Sequence, residues 1–124
     1  MSQSYDISIV TPVYNEEEAR QKLAKELPGW YLEEGLIQRL YKTDGWQTTL
    51  MLVNAIGYLA EMVNHHPDLT VTWGKVRVKL QTHSMGGLTD MDFALAKKIE
   101  EVVLWQPGQE SVFKSESPKK RIFG

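Results

Sequence analysis

Residues 69–82 of the chain, LTVTWGKVRVKLQT, predict a β-hairpin and with it the class of the fold. Gly74 separates two stretches rich in β-branched side chains, so we predict strands at 69–73 and 75–82. In the second stretch three apolar residues alternate with three polar ones: Val76, Val78 and Leu80 against Arg77, Lys79 and Gln81. This alternation is typical of a strand in an antiparallel sheet that is covered on one side only.

Upstream of this hairpin the sequence predicts a helix and a second hairpin. The charged residues 16–27, which include alanine and leucine, are typical of a short helix that ends at a Pro-Gly pair. Residues 30–32 and 36–41 then have the composition of two strands joined by a Glu-Gly turn.

Two more helices are predicted around the hairpin. Residues 45–63 carry apolar side chains at a three-to-four spacing, and Asp44 is the expected N-cap. Thr89 is the expected N-cap of a last helix at 90–104. The order helix-strand-strand-helix-strand-strand-helix predicts an α+β fold, with three helices on one face of a four-stranded antiparallel sheet.

The two ends of the chain differ in composition from this unit. Residues 16–105 form the predicted domain, residues 1–15 an N-terminal extension, and residues 106–124 a polar, basic tail that we expect to be mobile. Alternatively the tail docks on an acidic protein partner, with Phe113 and Phe123 as apolar anchors and its lysines steering the approach.

Composition excludes several classes of protein. A chain of 124 residues with 42% hydrophobic residues can bury one core, and its net charge of −2 argues against direct nucleic-acid binding. No cysteine is present, so disulfides, thiolate metal sites and cysteine nucleophiles are excluded. No apolar run is long enough to span a membrane, and the N-terminus does not resemble a signal peptide. We therefore expect a cytoplasmic protein, and association with a plastid or carboxysome stays open.

All three histidines fall within 19 positions of the chain. His65 and His66 are adjacent after the second helix, which also carries Glu61, and His83 follows a strand. Because the imidazole pKa lies close to neutrality, such a cluster suits proton transfer.

Two other interpretations of the histidines are weaker. Zinc needs three or four ligands, and adjacent histidines usually point in different directions, so we predict no metal site. Ordinary packing would account for any one of these histidines alone, but it accounts less well for three of them close to a glutamate.

These residues resemble the motif of the pterin-4a-carbinolamine dehydratases. Seven positions over 32 residues carry the resemblance: Glu61, His65, His66, Pro67, Trp73, His83 and Asp92. The resemblance covers about residues 16–104, and the predicted order of elements is that of the family fold. Enzymes of this family remove water from a 4a-hydroxytetrahydropterin, which gives a quinonoid dihydropterin and allows tetrahydrobiopterin to be recycled.

The resemblance implies a role for each matching residue. His65 and His83 would be the acid/base pair, and His66 would orient the pterin. Glu61 would tune the neighbouring imidazole, and Asp92 would support the wall of the site. No cofactor or metal is implied.

The same resemblance places the remaining substrate-binding residues. Pro67 and Trp73 belong to the motif, and main-chain groups near Gln81 and Thr82 would bind the amide edge of the pterin. Relatives form homo-oligomers, so we expect a dimer or tetramer.

The sequence departs from the family pattern at two positions. Asn64 stands where many relatives have an acid, and Leu69 where many have a tryptophan. Neither residue belongs to the acid/base set.

A non-catalytic role is the alternative within the same resemblance. Some pterin-dehydratase-like proteins are RuBisCO assembly factors, and residues 54–57 and 66–69 are similar to the plastid type. An animal relative is a dimerisation coactivator of a transcription factor. The three retained histidines favour the enzyme.

Overall fold

The computed structural model describes residues 12–108, 112–113 and 120–124. The elements are α1 (Glu16–Glu26), β1 (Tyr31–Glu33), β2 (Leu36–Thr43), α2 (Trp46–Val63), β3 (Asp68–Thr72), β4 (Lys75–Leu80), a single-turn 3₁₀ helix (His83–Met85), α3 (Asp90–Val103) and β5 (Ile122–Phe123). The predicted α+β class and element order are confirmed, and the predicted boundaries fall within about two residues of these bounds.

The sheet is antiparallel, with the order β1-β2-β4-β3. β4 lies in the middle: Ile37 of β2 pairs with Leu80, and Leu69 of β3 pairs with Val78. The alternation in β4 has the predicted result, because Val76, Val78 and Leu80 are fully buried whereas Arg77 and Lys79 are partly exposed. The helices cover the buried face of the sheet, and the core lies between the two layers.

The described residues add a fifth strand to the predicted four. Ile122 and Phe123 pair with Thr43 and Lys42 of β2, on the edge that β1 also occupies. The expectation of a wholly mobile tail is therefore wrong for the end of the chain, and Phe123 is a strand residue rather than a free anchor. The tail lysines Lys114 and Lys119 lie outside the described residues.

A buried polar cluster explains why the tail returns to the sheet. Arg39 of β2 forms an ion pair with Glu100 of α3 at 2.6 Å and also donates to the main-chain oxygen of Gly124 at 2.8 Å. Tyr41 donates to the same glutamate oxygen at 2.6 Å, and Trp30 donates to it at 3.1 Å. Nothing in the hydrophobic pattern of the tail signals this interaction, because a buried arginine supplies it.

The helix caps agree with the sequence except at α2. Thr89 and Asp92 form a capping box at the start of α3, as the N-cap prediction for Thr89 requires. At α2 the N-cap is Gly45, without a side-chain hydrogen bond, so the prediction for Asp44 is wrong. Asp44 instead forms an ion pair with Arg121 of the tail.

The last residues of the predicted N-terminal extension pack against the domain. Asn15 caps α1 in a capping box with Glu18. The Tyr14 main-chain N–H donates to the Leu88 oxygen at 2.8 Å, and its ring contacts Phe93. Residues 1–11 lie outside the described residues. None of the described helices has the length and apolar character needed to cross a bilayer.

Candidate active site

The turn after α2 sends two consecutive histidines in different directions. Asn64, the C-cap, has the left-handed backbone conformation (φ 52°, ψ 46°) that asparagine adopts more readily than most residues. The left-handed backbone therefore explains why an asparagine can stand at position 64, where many relatives have an acid. His65 follows with its side chain buried, and His66 with its side chain exposed, as expected for adjacent residues.

The His65 imidazole forms a buried pair with Asp92 of α3. His65 Nε2 lies 2.6 Å from Asp92 Oδ1, and the aspartate has no exposed surface. The main-chain N–H of His65 donates to the Ala60 oxygen at 3.0 Å, which holds the residue against the end of α2. The ring is therefore fixed both through its backbone and through one nitrogen.

The second oxygen of Asp92 accepts two further hydrogen bonds. The Thr82 hydroxyl donates to Oδ2 at 2.8 Å, and the main-chain N–H of Thr89 donates to it at 2.9 Å. Because the Thr82 hydroxyl proton is used in this way, the Thr89 hydroxyl donates to Thr82 Oγ1, at 2.8 Å. Thr89 Oγ1 in turn accepts from the Met91 N–H at 3.2 Å.

This network determines which nitrogen of His65 is free. Asp92 receives all its hydrogen bonds as an acceptor, so Nε2 of His65 carries a proton and donates it. Nδ1 is then the nitrogen that remains to accept or give a proton. The arrangement is that of a carboxylate–histidine pair, in which the acid fixes the tautomer and the orientation of the base.

His66 and Glu61 form a separate, exposed pair. His66 Nε2 lies 2.8 Å from Glu61 Oε1, and both side chains are more than half exposed. The structure therefore places Glu61 on His66, whereas Asp92 is the acid that contacts His65. Since Glu61 lies in the last turn of α2, it can hold the exposed His66 ring in one orientation.

His83 begins the 3₁₀ helix just beyond β4. Its Nδ1 lies 3.3 Å from Gln81 Nε2, so the amide donates to the ring. An isolated bridge between Thr82 and Gly87 closes the loop, and Gly86 provides the left-handed turn (φ 70°) inside it. Thr82 thus connects the two imidazoles, because its side chain binds Asp92 while His83 is its neighbour in the chain.

The register of the sheet brings these groups to one end of the molecule. Asp68, the first residue of β3, pairs with Lys79 near the end of β4. The segments 65–67 and 81–83 therefore lie at the same end of the two strands. Half-buried Pro67 lies between the histidine pair and β3. In the described part of the chain, no three His, Asp or Glu side chains are placed to hold a metal ion together.

Trp73 is not brought to the histidines of the same chain. Its carbonyl oxygen accepts from the Thr49 hydroxyl at 2.8 Å, in the first turn of α2, and its ring lies beside Gly45. His65 follows the opposite end of α2, about 25 Å away along the helix axis. Within one chain Trp73 cannot contact a ligand bound at the histidines.

Comparison with known proteins identifies the family of the chain. A model of the family described as pterin 4 alpha carbinolamine dehydratase matches residues 12–102. The chain belongs to the pterin-4a-carbinolamine dehydratase family. A relative from Aquifex aeolicus, provisionally named a pterin-4-alpha-carbinolamine dehydratase, is 48% identical over 89 residues, which are 72% of this chain and 89% of the relative.

Two solved structures share the dehydratase-family fold. A transcriptional coactivator/pterin dehydratase from Brucella melitensis superposes with a TM-score of 0.68 at 26% identity, over 74% of this chain and 99% of the other. A pterin dehydratase-like protein, described as a RuBisCO assembly factor in the alpha-carboxysome, superposes with a TM-score of 0.50. At 15% identity, over 60% of this chain and 86% of the other, that likeness shows the fold alone.

The sequence did not reveal one part of the site, namely the residues that hold the Asp92 carboxylate in place. The sequence predicted a role only for the main chain of Thr82, and it predicted Thr89 only as a helix cap. In the structure the Thr82 hydroxyl and the Thr89 main-chain N–H both donate to Asp92, and the two hydroxyls are hydrogen-bonded to each other. The capping box Thr89-x-x-Asp92 was visible in the sequence. That spacing shows how α3 begins, but it does not show that the box reaches His65.

Proposed function

We propose that this chain is a hydro-lyase that dehydrates a 4a-hydroxytetrahydropterin to the quinonoid dihydropterin. The observation that carries the proposal is the buried pair of His65 and Asp92, with a second imidazole, His83, at the same end of the sheet. Membership of the family supports a dehydratase, and the geometry supports histidine acid/base chemistry as its mechanism.

The reaction needs two proton transfers on a flat ring. The C4a–O bond breaks and its electron pair leaves with the hydroxyl group, which takes up a proton from an acid and departs as water. A base removes the proton from the neighbouring ring nitrogen, and the remaining electron pair forms the C–N double bond. Two imidazoles can do both tasks, and the net change is the loss of one water.

The contacts suggest how the tasks are divided. His65 has a fixed ring and one free nitrogen, which suits a group that must meet the substrate in a single orientation. His83 is exposed and, among the described residues, its side chain is hydrogen-bonded only to Gln81, so its ring can turn to carry the second proton. His66, supported by Glu61, would orient the pterin. Main-chain groups of Gln81 would bind its amide edge, because the N–H and C=O of Thr82 are already bonded to Gly87 and Met85.

Dehydration of a freshly generated 4a-hydroxytetrahydropterin, with and without a chelator, tests the proposal. We expect the purified chain to accelerate the reaction to the same extent with and without the chelator. The variant His83→Ala should lower the rate at least tenfold, because one of two proton carriers is lost. Ser84→Ala, the exposed neighbour in the same 3₁₀ helix, is the matched control and should keep full activity.

The same assay decides between this proposal and a purely protein-binding role. A wild-type chain that folds but leaves the uncatalysed rate unchanged would overturn the enzyme and favour a scaffold of the assembly-factor or coactivator kind. An active enzyme would fit recycling of tetrahydrobiopterin in the cytoplasm.

A further inference from the structure

The face of the sheet opposite the helices carries a row of basic side chains. The described helices pack on the face that buries the apolar residues of β4, so the alternate residues of that strand point to the other side, the open face. These residues are Lys75, which is exposed, and Arg77 and Lys79, which are partly exposed. Three cations therefore follow one another along the central strand, about 7 Å apart.

The neighbouring strands extend this row toward the end of the tail. Lys42 of β2 lies directly opposite Lys75, so its side chain is also on the open face. Phe123 of β5 lies opposite Lys42 in turn, and the Lys120 ammonium nitrogen lies 5.6 Å from the centre of the Phe123 ring. We call these five cations the basic cluster: Lys42, Lys75, Arg77, Lys79 and Lys120.

The basic cluster has no compensating acid within the fold. None of its members forms an ion pair among the described residues, and the guanidinium of Arg77 donates to the neutral hydroxyl of Tyr31. Lys42 and Lys75 are a like-charge pair on adjacent strands, which is unfavourable in a sheet. The row of paired residues that they share contains no acid. A carboxylate from outside the chain would therefore be attracted by both ammonium groups.

Two acids of the described strands lie at the margins of the open face. Asp68 of β3 lies opposite Lys79, and Glu33 ends β1. The whole chain has a net charge of −2, so the positive charge of the cluster is local. A long polyanion crossing the face would meet these carboxylates, whereas a short acidic segment over the central strand would not. The distribution of charge thus favours an acidic polypeptide over a nucleic acid.

We propose that the open face binds an extended acidic segment of a partner protein, with carboxylates at alternate positions. Alternate side chains of an extended segment lie about 7 Å apart, which matches the spacing of the cations on β4. Half-buried Leu40 and Phe123, which is 38% exposed, add apolar surface beside the cations. An apolar residue on the same side of the segment as its acids would contact that surface.

Fluorescence anisotropy of a labelled peptide tests this binding. The probe carries glutamate at three alternate positions and leucine at the next one, with serines between them, and the control peptide has glutamine in place of each glutamate. We expect the intact chain to bind the control peptide at least tenfold more weakly. Raising the salt concentration from about 0.05 M to about 0.5 M should weaken binding of the glutamate peptide, because exposed charges are screened.

The variant Lys75→Glu locates the binding on the open face. It reverses one charge at the centre of the basic cluster, so the affinity for the glutamate peptide should fall at least tenfold. The variant should fold, because an opposite-charge pair replaces the like-charge pair with Lys42, and urea unfolding checks this. Lys25→Glu, exposed on α1, makes the same change in net charge and should keep wild-type affinity. An equal loss in both variants would overturn the proposal.

Two other results would also overturn it. One is a glutamate peptide that does not bind at low salt at concentrations up to about 1 mM. The other is a single-stranded oligonucleotide that binds at least tenfold more tightly than the peptide and is lost in Lys75→Glu, which would make the open face a nucleic-acid surface. Catalysis enters none of these measurements, so the proposed function can fail without changing their outcome.

Discussion

His65 Nε2 and Asp92 Oδ1 lie 2.6 Å apart in the interior of the domain, and the carboxylate has no contact with solvent. The imidazole comes from the turn after α2 and the acid from the first turn of α3. The pair therefore joins the end of α2 to the start of α3, and Thr82 links Asp92 to the end of β4. A change in the acid should affect both stability and chemistry.

Replacing Asp92 by asparagine should impair catalysis and folding together. The asparagine NH2 must point either at the His65 N–H or at the Thr82 hydroxyl and the Thr89 N–H. In each orientation the NH2 faces a hydrogen-bond donor, so a hydrogen bond that the carboxylate accepts is lost. We expect unfolding free energy to fall by about 1–3 kcal/mol and kcat to fall at least tenfold, with a changed pH profile because the His65 tautomer is no longer fixed. Urea unfolding and pH–rate profiles measure these effects.

Asp90→Asn is the matched control for that variant. Asp90 lies in the same helical turn but is exposed, so kcat and its pH profile should stay close to wild type. If Asp92→Asn also kept the wild-type pH profile, a role in positioning His65 would be contradicted.

Stability should decline at alkaline pH through Tyr14. Its hydroxyl donates to Asp90 Oδ1 at 2.5 Å, and this hydrogen bond, with some burial, raises the pKa of Tyr14 to about 12. An unfolded tyrosine ionises near pH 10, so the stabilisation is complete below about pH 10 and is lost as the pH rises from about 10 to about 12. Burial and the neighbouring Glu100 also raise the pKa of Tyr41, which adds a decline of the same sign.

Tyr14→Phe separates the two tyrosines. The variant should be less stable than wild type by about 1 kcal/mol at pH 8, and the difference should shrink as the pH rises above 10, because only the wild type loses this hydrogen bond. Urea unfolding at pH 8, 10 and 11 measures it. A difference that is constant across these pH values would contradict the assignment.

Removing the chain after Pro107 should lower stability without changing turnover. The deletion takes away β5 and the Gly124 oxygen that Arg39 binds, so we expect a loss of about 1–3 kcal/mol. Every proposed catalytic group precedes the cut, so kcat/KM should be unchanged. Val112→Ala, a fully exposed change in the same segment, should alter neither quantity. Loss of turnover in a folded, truncated chain would mean that the site extends to the tail.

The exposed face of α2 should take part in assembly of the protein. Met51, Tyr58 and Met62 are each more than half exposed on it, and Glu61 is the only charged residue of the helix. We predict a homotetramer made of two dimers, in which these faces pack together. Tyr58→Glu should reduce the assembly to dimers in sedimentation velocity, whereas Ala24→Glu, exposed on α1 and away from this face, should not. A wild-type monomer of 14.2 kDa at micromolar concentration would contradict the prediction.

Local sequence patterns predicted most helices and strands, because alternation and capping depend on interactions over only a few residues. The alternation of Val76, Val78 and Leu80 identified β4 and its buried face, and Thr89 identified the start of α3. Asp44 is not the cap, because α2 begins at Trp46 and Gly45 is its N-cap. The Asp44 carboxylate pairs with Arg121, a residue 77 positions later, and that interaction has no local signature.

The sequence alone determined which side chains are able to carry protons, and it predicted that the adjacent His65 and His66 point in different directions. The tertiary structure decided their partners. It placed Asp92 rather than Glu61 on His65, set Trp73 at the far end of α2 and bound the end of the tail to Arg39. The physical reason is range, since periodicity and capping are local, whereas a buried carboxylate takes its donors from wherever the packed core brings them.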